Sequence, residues 1–335
     1  MSFAKNKNTI LAAACAVLFV IGFFSNDPFG LFEYSFKKAP LMLKNINSND
    51  IKKIEVKQGD MTRLVFESAN ENWSVKAPET PVPFNADSKK IKDGIEEILK
   101  IKKYHEVSSS KEKHAEYEVT ADKFHIVLFS STGKILADLF VGKSGAAFGS
   151  SLVRLASDDA VYTAKGNFKG QWNQNIDSFR DKKIVNFVKE NIVSVEFHGA
   201  KSYKMVKTPQ NAWELTTRKN TKPADASKVN SILNMIVSLE GDSFHQMEGN
   251  KKPYAKMTIT LSSGTQEEIF ISGPMKNDEF FMKSLYMQGS DWMSVPKYRV
   301  DSLLREASYF EQTAKAPSVQ DSGMPSNNGQ APSRR

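Results

Sequence analysis

Apolar and polar residues alternate along two stretches in the first third of the chain. A polar residue separates Ile54 from Val56, and a single residue likewise separates Leu64 from Phe66. Successive side chains of a β-strand point to opposite faces, so this pattern predicts two strands that each bury one face. The pattern returns much later, because "IKKIEV" at 51–56 and "IVSVEF" at 192–197 both read apolar, two variable residues, apolar, Glu, apolar.

The two hexamers open a longer repeat. Five further pairs of segments follow them in the same order: "TRLVFES" with "SYKMVKT", "NWSVK" with "AWELTT", "NADSKKIKDGIEEILKIKKYHEV" with "PADASKVNSILNMIVSLEGDSFHQM", "FHIVLFSSTGKILADLFVG" with "KMTITLSSGTQEEIFISG", and "LVRLASDDAVYTAKG" with "FMKSLYMQGSDWMSVPK". Six pairs in one order indicate an internal duplication.

One pair of segments predicts a helix in each copy. Asp87 and Asp225 each follow an alanine and precede a helical pattern, where a short carboxylate can cap free backbone N–H groups. The apolar residues that follow fall on one helical face: Ile91, Ile95, Ile98 and Leu99 in the first copy, and Val229, Leu233, Ile236 and Val237 in the second. Helices this short are marginal alone, and Gly94 costs the first one about 1 kcal/mol, so each must pack on its own sheet.

These elements predict an α+β fold, in which an N-terminal transmembrane helix precedes two tandem repeats of an antiparallel sheet with one packed helix. Glycines in "SSTG" and "SSG" suit hairpin turns within the sheets. The predicted segments are a cytoplasmic N-terminus 1–8, a transmembrane anchor 9–24, a linker 25–48, a first module 49–174, a connecting segment 175–191, a second module 192–311 and a disordered tail 312–335. The connecting segment reads as a short helix.

The N-terminal anchor is predicted from an uncharged stretch. Residues 9–24, "TILAAACAVLFVIGFF", would span about 24 Å as a helix, against a hydrocarbon core of about 30 Å. Lys5 and Lys7 precede it and should stay in the cytoplasm, which places the bulk of a single-pass protein on the periplasmic side of the cytoplasmic membrane. A cleaved signal peptide and a lipoprotein site at Cys15 are the alternatives. Phe23 stands where cleavage after Ser25 would need a small residue.

Composition narrows the classes of partner. The net charge is +8, but the basic residues are scattered, with no run of five or six and no interleaved aromatic residues. We therefore expect no nucleic-acid partner. A single cysteine excludes an intrachain disulfide and leaves the redox compartment open. The tail after about residue 311 has no aromatic residues and is rich in Pro, Ser, Gly and Asn, which predicts disorder.

The chain offers few candidates for chemistry. "GKS" at 142–144 resembles part of a phosphate-binding loop, but Ala137 stands where that motif needs its first glycine, so a hairpin loop is expected. Asp158–Asp159 and Glu96–Glu97 suit a turn and a solvated helix face. His114, His125 and His198 form no recognisable triad with a serine. We expect no enzyme and predict no catalytic, cofactor-binding or metal-binding residue.

Two pairs of residues at matching positions of the copies leave alternatives open. His105 and His245 could ligate a metal, and this carries a less favoured metal-dependent enzyme hypothesis, although packing or hydrogen bonding is the default. Trp73 and Trp213 could stack on sugars, as an envelope glycan-binding module would require, but core packing is favoured. Trp172 and Trp292 are less constrained, and one of them could be exposed.

The order of the blocks resembles the family known as domain of unknown function 4340 over residues from about 9 to 305. The anchor, "IKKIEV", the Trp73 strand and "ADSKKI" carry the resemblance, together with "VGKS", "AVYTA" at 160–164 and "SFRDKKIVNF" at 178–187, which is the most specific. The family often has a Gly-Leu step after a tyrosine, whereas Glu118 and Val119 follow Tyr117 here. That departure predicts a differently built loop.

The resemblance implies a role without implying a chemistry. Members are often encoded beside components of gliding-type ABC transporters. This chain is therefore expected to be a non-enzymatic extracytoplasmic accessory subunit of an ABC-type envelope transport system, with ABC-transporter subunits as possible partners and the membrane bound through residues 9–24. The family supplies no catalytic residues to carry over. No small-molecule ligand is identified by the sequence.

Overall fold

A computed structural model of the chain describes residues 7–25, 39–80, 82–199, 202–247, 253–274 and 279–312. The disordered tail predicted for 312–335 lies outside these residues except for its first position, as do most of the predicted N-terminus and linker. The chain divides into two compact units. The first comprises Met1–Lys182, Ser243–Gln246 and Met287–Asp291, and the second comprises Lys183–Asp242, Met247–Tyr286 and Trp292–Arg335.

The described residues form two antiparallel sheets of nine strands each. The strands of the first sheet are β1 (Lys53–Gln58), β2 (Met61–Ala69), β3 (Asn72–Lys76), β4 (Phe84–Asn85), β5 (His105–Ser108), β6 (Phe124–Phe129), β7 (Ile135–Ser144), β8 (Ser150–Leu155) and β9 (Val161–Lys165). The strands of the second are β10 (Ile192–His198), β11 (Tyr203–Lys207), β12 (Trp213–Thr216), β13 (Thr221–Pro223), β14 (Phe244–His245), β15 (Ala255–Leu261), β16 (Gln266–Ile271), β17 (Glu279–Ser284) and β18 (Trp292–Pro296).

The two sheets have the same topology. The strand order is β4-β3-β2-β1-β6-β7-β8-β9-β5 in the first and β13-β12-β11-β10-β15-β16-β17-β18-β14 in the second, which match strand for strand. The strands that contain the two opening hexamers, β1 and β10, occupy the same place in their sheets. The predicted tandem repeat of an antiparallel sheet is therefore confirmed.

Five α-helices lie in the described residues: α1 (Lys7–Ser25), α2 (Ser88–Leu99), α3 (Phe168–Trp172), α4 (Ala226–Val237) and α5 (Lys297–Leu303). The predicted caps are confirmed. Asp87 accepts a hydrogen bond from the Lys90 N–H at 3.0 Å, and Asp225 accepts from the N–H groups of Ser227 and Lys228 at 3.0 and 3.2 Å. Each repeat also holds a second, shorter helix, α3 or α5, which the sequence did not predict.

Alternation along the strands places the apolar residues as predicted. Ile54, Val56, Leu64 and Phe66 are all buried in the core of the first unit, and the side of α2 that carries Ile91, Ile95 and Ile98 is buried there as well. Burial of one face of each strand against one face of a helix removes apolar surface from water, which is the main favourable contribution to folding.

Gly94 disfavours the helix locally, but its lack of a side chain allows close packing against Trp172. A Cβ at this position would lie 2.6 Å from a ring carbon of Trp172, closer than side-chain atoms approach. Trp172 is 1% exposed and packs edge-on against Phe66 and stacked against Phe179. Of the two tryptophans that the sequence left less constrained, Trp172 is therefore buried, because the absence of a side chain at Gly94 leaves room for its indole in the core.

Each repeat ends with a short segment that hydrogen-bonds to the backbone of the residue that caps its main helix. The Asp87 N–H donates to the Phe179 carbonyl at 2.8 Å, and the Asp225 N–H donates to the Phe310 carbonyl at the same distance. Phe179 and Phe310 are both buried. The repeat therefore extends to these residues, and 175–182 belongs to the end of the first copy.

The connecting segment 175–191 is not the short α-helix that its sequence predicted. It holds only two short 3-10 turns, at Ile176–Ser178 and Lys189–Asn191. Between them the backbone makes long-range contacts, because Arg180 bridges to Ala86 and the Ile184 N–H donates to the Leu239 carbonyl at 2.9 Å. These bonds hold the backbone extended where local periodicity favours a helix.

The predicted anchor 9–24 falls on α1. Side chains in this helix are described for Ile10–Val20, and all of them are exposed. Taking only what the structure describes, none of the helices combines the length and the apolar character needed to cross a membrane.

Candidate functional site

Most residues that the sequence offered as candidates for a functional site instead contribute to the fold. Residues 142–144 form the end of β7 and not a loop, since the hairpin turn comes after them at 145–149. A Cβ on Gly142 would lie 2.0 Å from the Tyr117 carbonyl oxygen, so this glycine lets another segment approach the strand. Strand β8, not a helix, follows the turn, and a phosphate-binding loop requires a helix there.

The paired histidines occupy short strands. His105 is exposed at the start of β5, and His245 in β14 lies 2.8 Å from the Ser243 hydroxyl. Across the described ranges, no group of three or more His, Cys, Asp or Glu residues is placed to hold a metal ion.

Trp73 and Trp213 are 4% and 6% exposed and belong to the cores, as favoured from the sequence. They therefore offer no face to a sugar. Trp292 is half-buried.

The carboxylate pair at 158–159 lies in the turn before β9. Lys103 donates to Asp158 at 2.7 Å, and this hydrogen bond, with one from the Ala160 N–H, lowers the pKa of Asp158. Glu96 lies 3.7 Å from Lys100 on the surface of α2. Both pairs therefore have the structural roles that the sequence predicted.

The most specific part of the family motif builds a buried polar cluster in the first unit. Arg180 is 6% exposed, and its Nη1 donates to Asp177 at 2.9 Å and to Asp291 at 2.7 Å. The guanidinium lies between two aromatic rings, 3.8 Å from the centroid of Phe84 and 3.6 Å from that of Phe244. We call these five residues the Arg180 cluster.

The Arg180 cluster has its charges matched. A buried guanidinium is tolerated when carboxylates and ring faces replace the water it loses. Asp291 is only 10% exposed, whereas Asp177 is 47% exposed, so the Asp291 pair is the desolvated one. Because every charged group of the cluster is engaged within the unit, its geometry serves to hold segments 84–85, 177–181, 244 and 291 together. No local pattern indicates this cluster, because its members other than Asp177 lie more than 60 residues from Arg180 along the chain.

A second polar cluster lies on the other face of the first sheet. His125 is 7% exposed; its Nδ1 lies 2.7 Å from an Asp138 carboxylate oxygen and its Nε2 lies 3.0 Å from the Gly59 carbonyl oxygen. The centroids of its ring and of the stacked Phe140 ring lie 4.9 Å apart, and the guanidinium of Arg154 lies over the Phe140 ring, 4.5 Å from its centroid. Neither partner of His125 donates a proton, so a doubly protonated ring satisfies both contacts.

Burial alone lowers the pKa of His125, but the hydrogen bonds to Asp138 and to the Gly59 carbonyl outweigh burial and leave the pKa raised. An imidazolium held in this way has no free lone pair with which to act as a base. The cluster therefore fastens the β1–β2 turn to β6 and β7.

The same position carries an ion pair in the second repeat. Ile126 follows His125 and pairs with Val56 of the first opening hexamer. Met257 follows Lys256 and pairs with Phe197 of the second hexamer, so Lys256 occupies the position equivalent to His125. Lys256 donates to Glu268 at 2.7 Å, and both side chains are about a third exposed. The aligned segments of the repeat contain both pairs, so comparison of the two copies could have indicated a polar pair at this position.

Residues 109–122 cover part of that face in the first unit. The Arg154 guanidinium donates to the Val119 carbonyl at 2.8 and 3.0 Å, and Val119 is fully buried. Glu118 has a φ of 58°, the left-handed region that glycine favours. Glu118 therefore holds a backbone conformation that glycine would adopt with less strain, and the prediction of a differently built loop stays a prediction.

The second unit contains an aromatic groove of about 230 Å³, lined by residues that include His198, Tyr203, Tyr254 and Arg305. The Tyr203 hydroxyl donates to the Arg305 carbonyl at 2.9 Å, and burial raises the pKa of Tyr203, so the phenol stays protonated. Tyr254 is 58% exposed at the rim. The groove offers an apolar ring face beside a guanidinium and an imidazole.

The fold and its clusters define a class: a duplicated α+β protein whose polar residues mostly fasten its own strands. A family model described as "Domain of unknown function (DUF4340)" matches residues 78–258, more than half of the 335 residues. The chain belongs to this family. The matched range begins just after β3, includes the Arg180 motif and ends within β15. No curated protein and no solved structure matches the chain.

Proposed function

We propose that this chain is a non-enzymatic accessory subunit, held at the cytoplasmic membrane by residues 9–24 and exposing its two repeats on the periplasmic side. The observation that carries the proposal is helix α1, whose described side chains Ile10–Val20 are all exposed and apolar. A continuous apolar surface of this kind is favoured in a lipid or protein environment. The described side chains of α1 are too few to span a bilayer, so the proposal takes the rest of the span from the uncharged sequence of residues 9–24. Lys5 and Lys7 set the orientation by the charge bias of cytoplasmic segments.

The proposed partner is an ABC-type envelope transport system. Support comes from the gene association that the family resemblance implies, and from the roles of the polar clusters, which fasten strands and suit a scaffold. The mechanism would be positional: the anchor fixes the repeats beside the transporter, and their surfaces bind one of its subunits.

Two measurements test this proposal. Alkaline extraction of membranes should leave the full chain in the pellet, whereas a variant in which a cleavable signal peptide replaces residues 1–24 should be released. Crosslinking in intact cells, followed by identification of the products, should then recover ABC-type subunits with the full chain and fewer with the released variant. Release of the full chain by alkali would overturn the anchor, and crosslinked products without transporter subunits would overturn the partner.

Glycan binding is a second candidate, and the aromatic groove is the observation that favours it. An exposed tyrosine face beside Arg305 and His198 offers apolar contact and hydrogen-bond donors to a sugar. We expect Tyr254→Ala to weaken binding of the detergent-solubilised chain to soluble peptidoglycan fragments. Tyr298→Ala is the control, because Tyr298 is 64% exposed in the same unit and does not line the groove. Equal binding by both variants would exclude the groove as the site.

A further inference from the structure

The turn between β7 and β8 presents an apolar tip. Its sequence at 145–149 is "GAAFG", and Ala146, Ala147 and Phe148 are all exposed. Phe148 has a relative exposure of 109%, whereas the other exposed large apolar side chains of the described residues lie between 37% and 72%. A hairpin turn is usually polar, whereas this turn exposes a phenylalanine and two alanines next to one another, which makes a small continuous apolar surface at its end.

Hydrogen bonds give the tip a defined shape. The Gly145 N–H donates to the Ser150 carbonyl at 3.0 Å, and the Ser150 hydroxyl and N–H both donate to the Ala147 carbonyl, at 2.6 and 3.1 Å. The neighbouring turn also supports it, because the Gly166 N–H donates to the Gly149 carbonyl at 2.9 Å. The aromatic ring is thus presented by an ordered loop, and little backbone entropy is lost when it inserts into another environment.

Positive charge flanks the apolar tip. Lys143 precedes it on β7, and Lys165 pairs with Ser150 across β8 and β9; both lysines are exposed. Within the part of the chain that the structure describes, neither makes an ion pair. Glu118 follows Tyr117, whose carbonyl accepts from the Lys143 N–H, but the Glu118 carboxylate pairs with Lys169 at 3.3 Å. Apolar residues surrounded by lysines fit the boundary of a lipid bilayer, where the ring enters the headgroup region and the lysines meet anionic headgroups.

We propose that the β7–β8 tip is a second membrane contact, in which Phe148 inserts at the lipid surface and Lys143 and Lys165 face anionic headgroups. This inference rests on the proposed anchorage by residues 9–24.

The test uses the full chain with Cys15→Ser and an added Ala146→Cys that carries an environment-sensitive fluorophore. The protein is reconstituted into vesicles of phosphatidylethanolamine and phosphatidylglycerol. We expect the label to emit at a shorter wavelength than the free dye does in buffer without detergent. A quencher attached to lipid should quench the label. Both signals should be lost with Phe148→Asp and reduced in vesicles of phosphatidylcholine alone. A label at Ser131→Cys, on the exposed β6–β7 turn, should stay in an aqueous environment.

The outcomes separate this inference from the one it rests on. If the chain floats with vesicles while the label at 146 stays aqueous and unquenched, the second contact is overturned and the anchor stands. If the label is shielded only after a second protein is added, the tip binds protein and the lipid contact is likewise overturned. If the full chain does not float, the anchorage is overturned and this inference with it.

Discussion

Removal of the Arg180 guanidinium is expected to destabilise the first unit strongly. Arg180→Ala leaves Asp291, a side chain only 10% exposed, without its cation, and takes the planar group out from between Phe84 and Phe244. Loss of one partner from a buried ion pair typically costs about 3–5 kcal/mol, because the remaining charge stays desolvated. The partly exposed Asp177 pair adds at most about 1 kcal/mol.

The magnitude converts to a melting temperature. For units of 150–250 residues, 1 kcal/mol shifts Tm by about 2–4 °C, so Arg180→Ala should lower the Tm of the first unit by roughly 6–20 °C. Arg180→Lys keeps the charge but loses the planar group between the rings, so its Tm should lie between those of the unsubstituted chain and Arg180→Ala. The assay is thermal unfolding of the detergent-solubilised full chain, followed by tryptophan fluorescence, since Trp172 reports on this core.

Two variants control the Arg180 experiment. Arg218→Ala removes an exposed arginine from the second unit and should change Tm little. Asp177→Asn should cost much less than Asp291→Asn, because only Asp291 is desolvated. If Arg180→Ala melts within error of Arg218→Ala, the cluster does not stabilise the unit and the reasoning is wrong.

Three further predictions concern the first unit. Gly94→Ala should lower Tm despite a helix-propensity gain of about 1 kcal/mol, because the methyl group meets Trp172 at 2.6 Å and overpacking costs about 1–3 kcal/mol. Glu118→Gly should raise or preserve Tm. Glycine removes the cost of about 1–2 kcal/mol that the left-handed backbone imposes on Glu118, and this gain offsets the greater conformational entropy of glycine in the unfolded chain. His125 has a raised pKa in the folded state, so its contribution should be full below about pH 6.5 and decline as pH rises through the raised value; Tm measured from pH 5 to 9 checks this.

Each of these predictions has a matched comparison. Adding Trp172→Phe should partly rescue Gly94→Ala, since the smaller ring leaves room for the methyl group. Glu116→Gly, at an exposed neighbouring position without a positive φ, should not stabilise. His125→Asn should flatten the pH dependence of Tm, and His105→Asn, at an exposed histidine, should leave it unchanged. A pH profile that His125→Asn does not alter would contradict the proposed imidazolium.

Local features of the sequence determined the elements of this protein. Alternation of apolar residues placed β1 and β2, and the carboxylates at Asp87 and Asp225 located the starts of α2 and α4. These signals work because strand and helix periods and capping bonds are settled within a few residues. The internal duplication then implied two like-folded sheets, and the matching strand orders agree with it.

Tertiary structure alone decided the clusters and the exceptions to local rules. Arg180 meets Phe84, Phe244 and Asp291 from distant parts of the chain. Backbone pairing with Ala86 and Leu239 keeps the connecting segment from forming the predicted helix. Trp172 is buried because Gly94 lies opposite it. Such contacts depend on which strands become neighbours, and the periodicity of a segment carries no information about the partner it will meet.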